Sequence, residues 1–255
     1  GGPMYYIDEG LSRLGLPRLG RGLAMYYAVC IVVGCLGVGC MFQSNQAFVQ
    51  FLNVTGGESS PFHGRGWFFG VLLAVLVGAV IVGGIKSIAR VTVKLVPLMA
   101  LLYLGLAAVV ILANADELPR AFRAILVGAF SPEGVRGGAI GVLILGFRRA
   151  AFSNEAGIGS ASIAHSAVKT KEPITEGLVA VLEPFIDTVV VCSVTALVIT
   201  VTVWDPNAGE ATLSGVELTS QAMASVVSWF PYPLAVVVML FAFSTMISWA
   251  YYGLQ

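Results

Sequence analysis

Long apolar runs alternate with short charged ones along this chain. Residues 22–57, 66–85, 95–115, 188–204 and 218–255 contain no Asp, Glu, Lys or Arg. A helix needs about 20 apolar residues to cross the hydrocarbon core of a bilayer, so these gaps are membrane-sized. The pattern predicts six hydrophobic elements, at about 23–51, 67–84, 91–113, an interrupted 138–168, 177–204 and 234–252. Two amphipathic stretches, about 118–130 and 215–230, are expected to lie at the interface. Arg120 and Arg123 mark the polar side of the first, and Pro231-Tyr232-Pro233 ends the second.

Composition sharpens the class. Apolar residues make up 57% of the 255, and charged residues only 11%, against about 25% in an average soluble domain. Mean hydropathy is +0.88. Acidic and basic side chains balance at 14 each, so no nucleic-acid footprint is expected. A soluble domain, a secreted disulfide scaffold and a disordered tail are excluded. What remains is an all-α polytopic membrane protein, with residues 1–255 as a single transmembrane domain. Because the chain opens Gly1-Gly2-Pro3 without Met and stops at Gln255 directly after Tyr251-Tyr252, it is expected to be part of a longer protein.

Cys30, Cys35, Cys40 and Cys192 all fall inside apolar runs, where reduced thiols in the core are expected rather than disulfides. On an α-helix, steps of five residues turn about 140° and set the first three on different faces. Threading the spans alternately puts Arg13, Arg18, Arg21, Lys86, Arg90, Lys94, Lys169 and Lys171 on one side of the membrane. Arg65, Arg120, Arg123 and Arg136 fall on the other. By the positive-inside rule the first side, with residues 1–22, 85–94 and 165–176, is expected to be cytoplasmic.

The interrupted span carries the functional signal. Asn154-Glu155 stands beside Gly157 and Gly159, flanked by apolar sequence. Glycine costs about 1 kcal/mol relative to Ala inside a helix, and nonhelical backbone at membrane depth survives only where protein or a water-filled cavity covers it. Such a break leaves N–H groups for a carboxylate and C=O groups for a cation. A small amphoteric solute such as an amino acid fits those two poles. The alternative is close helix packing on Gly-x-Gly-Ser, with Glu155 at a helix end.

Other polar groups interrupt the remaining spans. Gln43 and Gln46 share a helix face and either reach a solute or cap a shorter helix. Glu183 and Asp187 stand four residues apart, where they could hold a cation, pair with Arg148 or Arg149, or meet water; Asp187 is the deeper of the two. Ser244 and Thr245 offer hard oxygens to an alkali cation, or else bond back to the preceding turn. His165 is expected to be solitary, a packing or cytoplasmic-end residue, and His63 a loop residue. No nucleophile elbow, His-Glu-x-x-His helix, P-loop or Rossmann fingerprint occurs, so no enzyme is indicated and transport would draw on an ion gradient.

Several of these stretches resemble one family. Gly1-Gly2-Pro3-Met4-Tyr5-Tyr6-Ile7, Met41-Phe42-Gln43-Ser44-Asn45, Phe152-Ser153-Asn154-Glu155-Ala156-Gly157-Ile158-Gly159-Ser160-Ala161, Phe185-Ile186-Asp187-Thr188 and Phe241-Ala242-Phe243-Ser244-Thr245 with Trp249 are similar, in order, to signatures of the alanine or glycine:cation symporters. The resemblance implies a partial LeuT-type inverted-repeat (APC-like) transporter fold with a discontinuous helix, the spans here matching core helices three to eight. It also implies that a first broken helix, holding half of the site, is missing from these residues.

The resemblance assigns the solute to Gln43, Asn45, Phe152, Ser153, Asn154, Glu155, Gly157, Gly159, Ser160 and Trp249, and the cation to Ser244, Thr245 and Asp187. Arg148-Arg149-Ala150 and Ser162 depart from the family's usual residues. The implied activity is sodium-coupled symport of alanine or glycine across the plasma membrane by alternating access. Sodium is the coupling ion, with no other cofactor, no nucleic acid and no obligate protein partner. The alternatives are a channel, a nontransporting membrane scaffold, or a proton-coupled symporter of another small solute.

Overall fold

A computed structural model describes residues 1–130, 143–144, 158–204 and 215–255. Regular structure among them is helical throughout. In chain order the helices are α1 (Pro3–Arg13), α2 (Pro17–Thr55), α3 (Gly66–Ile81), α4 (Gly84–Ala113), α5 (Leu118–Phe130), α6 (Ala161–His165), α7 (Pro173–Thr202), α8 (Val216–Ala224) and α9 (Pro231–Leu254). Among the described residues α2, α4, α7 and α9 are long and apolar enough to cross a membrane, and α3 is a shorter apolar helix.

Backbone chemistry, rather than hydropathy, sets the ends of these helices. Pro17, Pro173 and Pro231 each open a helix, where the missing N–H of proline has no partner to lose. α9 therefore starts at Pro231, ahead of the purely apolar run. α2 stops at Gly56, whose φ of 117° turns the chain left-handed. Gly84, at φ 65°, opens the corner into α4. That helix carries Lys86 and Arg90 in its first turns, so it begins well before residue 91.

Both α2 and α7 change hydrogen-bond register in mid-course. Cys35–Phe42 in α2 and Phe185–Cys192 in α7 are π-helical, with bonds running to the fifth residue instead of the fourth. In α7 the change follows Pro184, which cannot donate to the preceding turn. The wider turn corrects the α-helical expectation for Cys35 and Cys40, which lie closer around the axis than residues five apart on an α-helix, whereas Cys30 precedes the turn in ordinary α-helix. All four cysteines are free thiols.

Three buried clusters share one helix. Leu234 and Val237 of α9 pack with Tyr103, Val110, Val198 and Met223. Lower on the same helix, Ala242, Met246 and Ile247 meet Phe69, Leu73, Val77 and Ile88. Trp249 and Tyr252 close on Ile31, Cys35 and Ile163. α9 is the helix the three clusters have in common, although Tyr232, Val236 and Leu254 on it stay exposed. α3 leaves Val71, Leu72, Val75 and Leu76 exposed, an outward apolar face of the kind a bilayer covers.

Most of the interrupted span lies outside the described residues. The parts described are residues 143–144, the turn Ile158–Ser160, with Gly159 at φ 79°, and the stretch from α6 onward. The chain is thus an all-α, multi-spanning membrane protein with a discontinuous helix. Its first residues pack onto that discontinuity. Gly1 lies against Ser166, Gly2 against Ile163, and Pro3 against Gly159, and the Tyr27 hydroxyl donates to the Ile158 carbonyl at 3.0 Å.

Candidate functional site

Trp249 is fixed by the π-helical turn of α2. Gly34 and Gly39 both present bare backbone to its indole, and a Cβ on Gly39 would fall inside the ring system. Cys35 donates its S–H to the Trp249 carbonyl at 2.9 Å. Buried to 3% exposure, the indole forms one wall of a cavity of about 440 Å³, with Tyr27, Ile31, Gly34, Val38 and Ile158 around it.

A second cavity, of about 250 Å³, opens beside the first half of α9. Its polar edge comes from Gln43 and Gln46 of α2, Tyr103 of α4, Thr195 of α7 and Thr219 of α8; Val237, Val238 and Phe241 supply apolar wall. Thr195 donates to the Val191 carbonyl at 2.8 Å, so its hydroxyl accepts from the Tyr103 hydroxyl in a short contact. Gln43 and Gln46 begin a stripe that continues through Gln50 and Asn53. The stripe holds α8 over the cavity. Gln46 Oε1 accepts from the Val216 N–H at 3.3 Å, and Gln50 and Asn53 donate to Ser220 Oγ at 3.1 and 3.0 Å.

The third cavity, about 470 Å³, lies beside the second half of α9. Ser244, Thr245 and Ser248 line it, with Thr92 of α4 and Glu183 of α7. Ser244 does make the back-bond to the preceding turn, donating to the Phe241 carbonyl at 2.9 Å. A hydroxyl that donates in this way keeps its lone pairs to offer a cation. Thr245 Oγ1 has no hydrogen-bond partner among the described residues. Next to this cavity His165 is not solitary, contrary to the sequence expectation. Its Nδ1 stands 2.6 Å from Glu176 and its Nε2 3.6 Å from Glu183. The short connection between α6 and α7 folds back and brings these acids to the imidazole.

Of the residues proposed from sequence, Gln43, Trp249, Ser244 and Thr245 line cavities. Gly159 makes the turn before α6, and Ser160 is fully buried there. Asn45 is exposed on another side of α2, bonded to Gln46 at 3.5 Å. Asp187 is half-buried in the π-helical turn of α7, with Thr188 donating to it at 3.4 Å. It is not among the residues lining the Thr245 cavity. Phe152, Ser153, Asn154, Glu155 and Gly157 lie outside the described residues. Sequence reading missed Tyr103 and Thr195, although a lone phenol in the apolar α4 was a visible signal.

The geometry defines a polytopic α-helical membrane protein with separate polar-edged cavities along one central helix. The chain belongs to the sodium:alanine symporter family, which it matches over residues 1–255. That is a family of transporters rather than enzymes. Similar relatives include the sodium/alanine symporter AgcS of Methanococcus maripaludis, 38% identical over 254 residues that cover 99% of this chain and 54% of that protein. An uncharacterized transporter of Haemophilus influenzae is 34% identical over 260 residues, covering 99% of this chain and 54% of its own length. The amino-acid carrier protein AlsT of Bacillus subtilis is 33% identical over 255 residues, at 99% and 51%. The chain spans about half the length of these curated relatives.

Proposed function

We propose that the protein is a sodium-coupled symporter of small neutral amino acids, alanine or glycine, working by alternating access in the plasma membrane. The observation that carries this reading is the placement of two polar-edged cavities along α9. Leu234–Ala242 border the Gln43 cavity, and Ser244–Tyr252 border the Thr245 cavity. A shift of α9 therefore acts on both at once, the physical requirement for coupling two ligands. The Gln43 cavity suits a small polar solute by its volume and its amide and hydroxyl edge. The hydroxyls of Ser244 and Thr245 suit an alkali cation, which prefers hard oxygen ligands. Family membership and the names of the relatives point the same way.

In this reading the fold is a LeuT-type inverted repeat, and the Phe152–Ser160 segment is its broken helix, closed over the solute by Trp249. Arg13, Arg18, Arg21, Lys86, Arg90, Lys94, Lys169 and Lys171 are all exposed, in keeping with a cytoplasmic side formed by residues 1–22, 85–94 and 165–176. The test is uptake by the full-length protein in proteoliposomes. An inward sodium gradient is expected to accumulate labelled alanine uphill, and a potassium gradient is not. Thr245→Ala is expected to raise the sodium concentration for half-maximal uptake about ten-fold, the loss of about 1.4 kcal/mol of binding. Equilibration without accumulation means a channel, and absence of flux a scaffold.

A further inference from the structure

α1 lies along the start of α2, and the two helices border an open groove of about 670 Å³. Gly20 permits their approach, since a Cβ there would stand 3.0 Å from the Asp8 carbonyl oxygen and from Leu11 Cβ. Asp8 and Ser12 line one wall of the groove, and Arg21, Ala24, Met25 and Ala28 the other. Asp8 is half-buried and Arg21 is exposed. Among the described residues neither the Asp8 carboxylate nor the Arg21 guanidinium has an ion-pair or hydrogen-bond partner, and the two do not pair with each other. Glu9, the second acid on the α1 wall, is taken by Arg13 at 2.6 Å.

The groove sits where the charged start of α2 gives way to sequence that hydrocarbon accepts. Arg21 is the last charged residue before the charge-free run 22–57. Beyond it Met25, Val29 and Val32 are exposed, four and three residues apart and so on one side of the helix. An apolar stripe therefore leads from the groove along a helix long enough to cross a membrane. One end of this surface offers two opposite charges without partners, and the other offers a track for hydrocarbon. Tyr5 and Tyr6 of α1 are both exposed, and tyrosine is a residue type that settles at headgroup level.

We propose that the groove holds one phospholipid whose headgroup carries a primary ammonium beside its phosphate, as in phosphatidylethanolamine. Arg21 takes the phosphate, which the guanidinium fork suits. Asp8 accepts an N–H from the ammonium, and the acyl chains follow Met25, Val29 and Val32. An anionic lipid without an amine meets the Asp8 carboxylate unfavourably, and a trimethylammonium headgroup has no N–H to donate to it. A headgroup with both poles and a free N–H satisfies both walls. The site shares no lining residue with the cavities along α9, so it does not depend on the identity of the solute or the cation.

The experiment is native mass spectrometry of the full-length protein, titrated with phosphatidylethanolamine, phosphatidylcholine or phosphatidylglycerol of the same acyl chains. Phosphatidylethanolamine is expected to bind about five-fold more tightly than either of the others, the upper end for an exposed ion pair. Asp8→Ala is expected to erase the preference over phosphatidylcholine. Arg21→Gln is expected to weaken phosphatidylethanolamine and phosphatidylcholine by a similar factor and so to keep their ratio. Lys171→Gln, which removes an exposed charge elsewhere, is expected to change neither. Wild-type binding of phosphatidylcholine or phosphatidylglycerol as tight as that of phosphatidylethanolamine overturns the proposal, and a segment of the full-length chain seated in the groove would give that result. A preference that survives Asp8→Ala, or an equal loss in Lys171→Gln, overturns it as well. Glycerophosphoethanolamine, the same headgroup without chains, is expected not to displace the lipid, and displacement at equal concentration overturns the assignment to a lipid.

Discussion

Trp249 is held in place by what its neighbours lack. Gly34 and Gly39 leave a groove on α2 into which the indole settles, and no side chain larger than hydrogen fits at Gly39 without displacing it. Gly39→Ala is therefore expected to destabilise the protein by about 1–3 kcal/mol, the usual cost of forcing a methyl group into a filled core. For a chain of this size that lowers the midpoint of thermal unfolding by about 2–4 °C per kcal/mol. Trp249→Ala made in the same background is expected to cost less than it does alone, because the two changes relieve each other. Calorimetry of the two single variants and the double variant reads the coupling, and simple additivity would show that the contact carries no energy.

Between elements, the decisive contacts are polar. Ser220 Oγ receives N–H groups from both Gln50 and Asn53, and Gln50 also donates to the Pro231 carbonyl at 3.1 Å. These bonds fasten α8 across α2 and the start of α9. Ser220→Ala leaves buried amide donors short of an acceptor, at an expected cost of about 1–3 kcal/mol. Faster amide exchange confined to 216–224 is the expected sign that α8 has loosened.

Little of this was visible in the sequence. The spans were legible because hydrocarbon excludes charge, so gaps in Asp, Glu, Lys and Arg outline them. The shared face of Gln43 and Gln46 was legible because it is local. Their continuation to Ser220 was not, since that partner is 170 residues from Gln50. His165 hid its partners in the same way, across a turn whose direction no spacing rule gives. The π-helical turns carry no compositional mark at all, which is why the cysteines were placed on an α-helical wheel.

At the scale of the molecule, α9 passes through all three buried clusters and borders both the Gln43 and Thr245 cavities, so it cannot move without altering each of them. α2 runs beside it for much of its length, and there the π-helical turn takes on another meaning. A stretch bonded to the fifth residue contains one residue more than an α-helix needs to join the same flanking faces. Removing one residue elsewhere in a membrane helix rotates everything beyond it by about 100°. Removing Gly37, around which a side chain would meet only open space, is expected to turn Cys35–Phe42 into ordinary α-helix. Gly34 and the former Gly39 would then stand four apart, still on one face beneath Trp249. Folded yield by size-exclusion chromatography is expected to survive this deletion and to collapse when Ala107 is deleted from α4. Within α2, change in chain length is tolerated at the one place where the helix already holds slack.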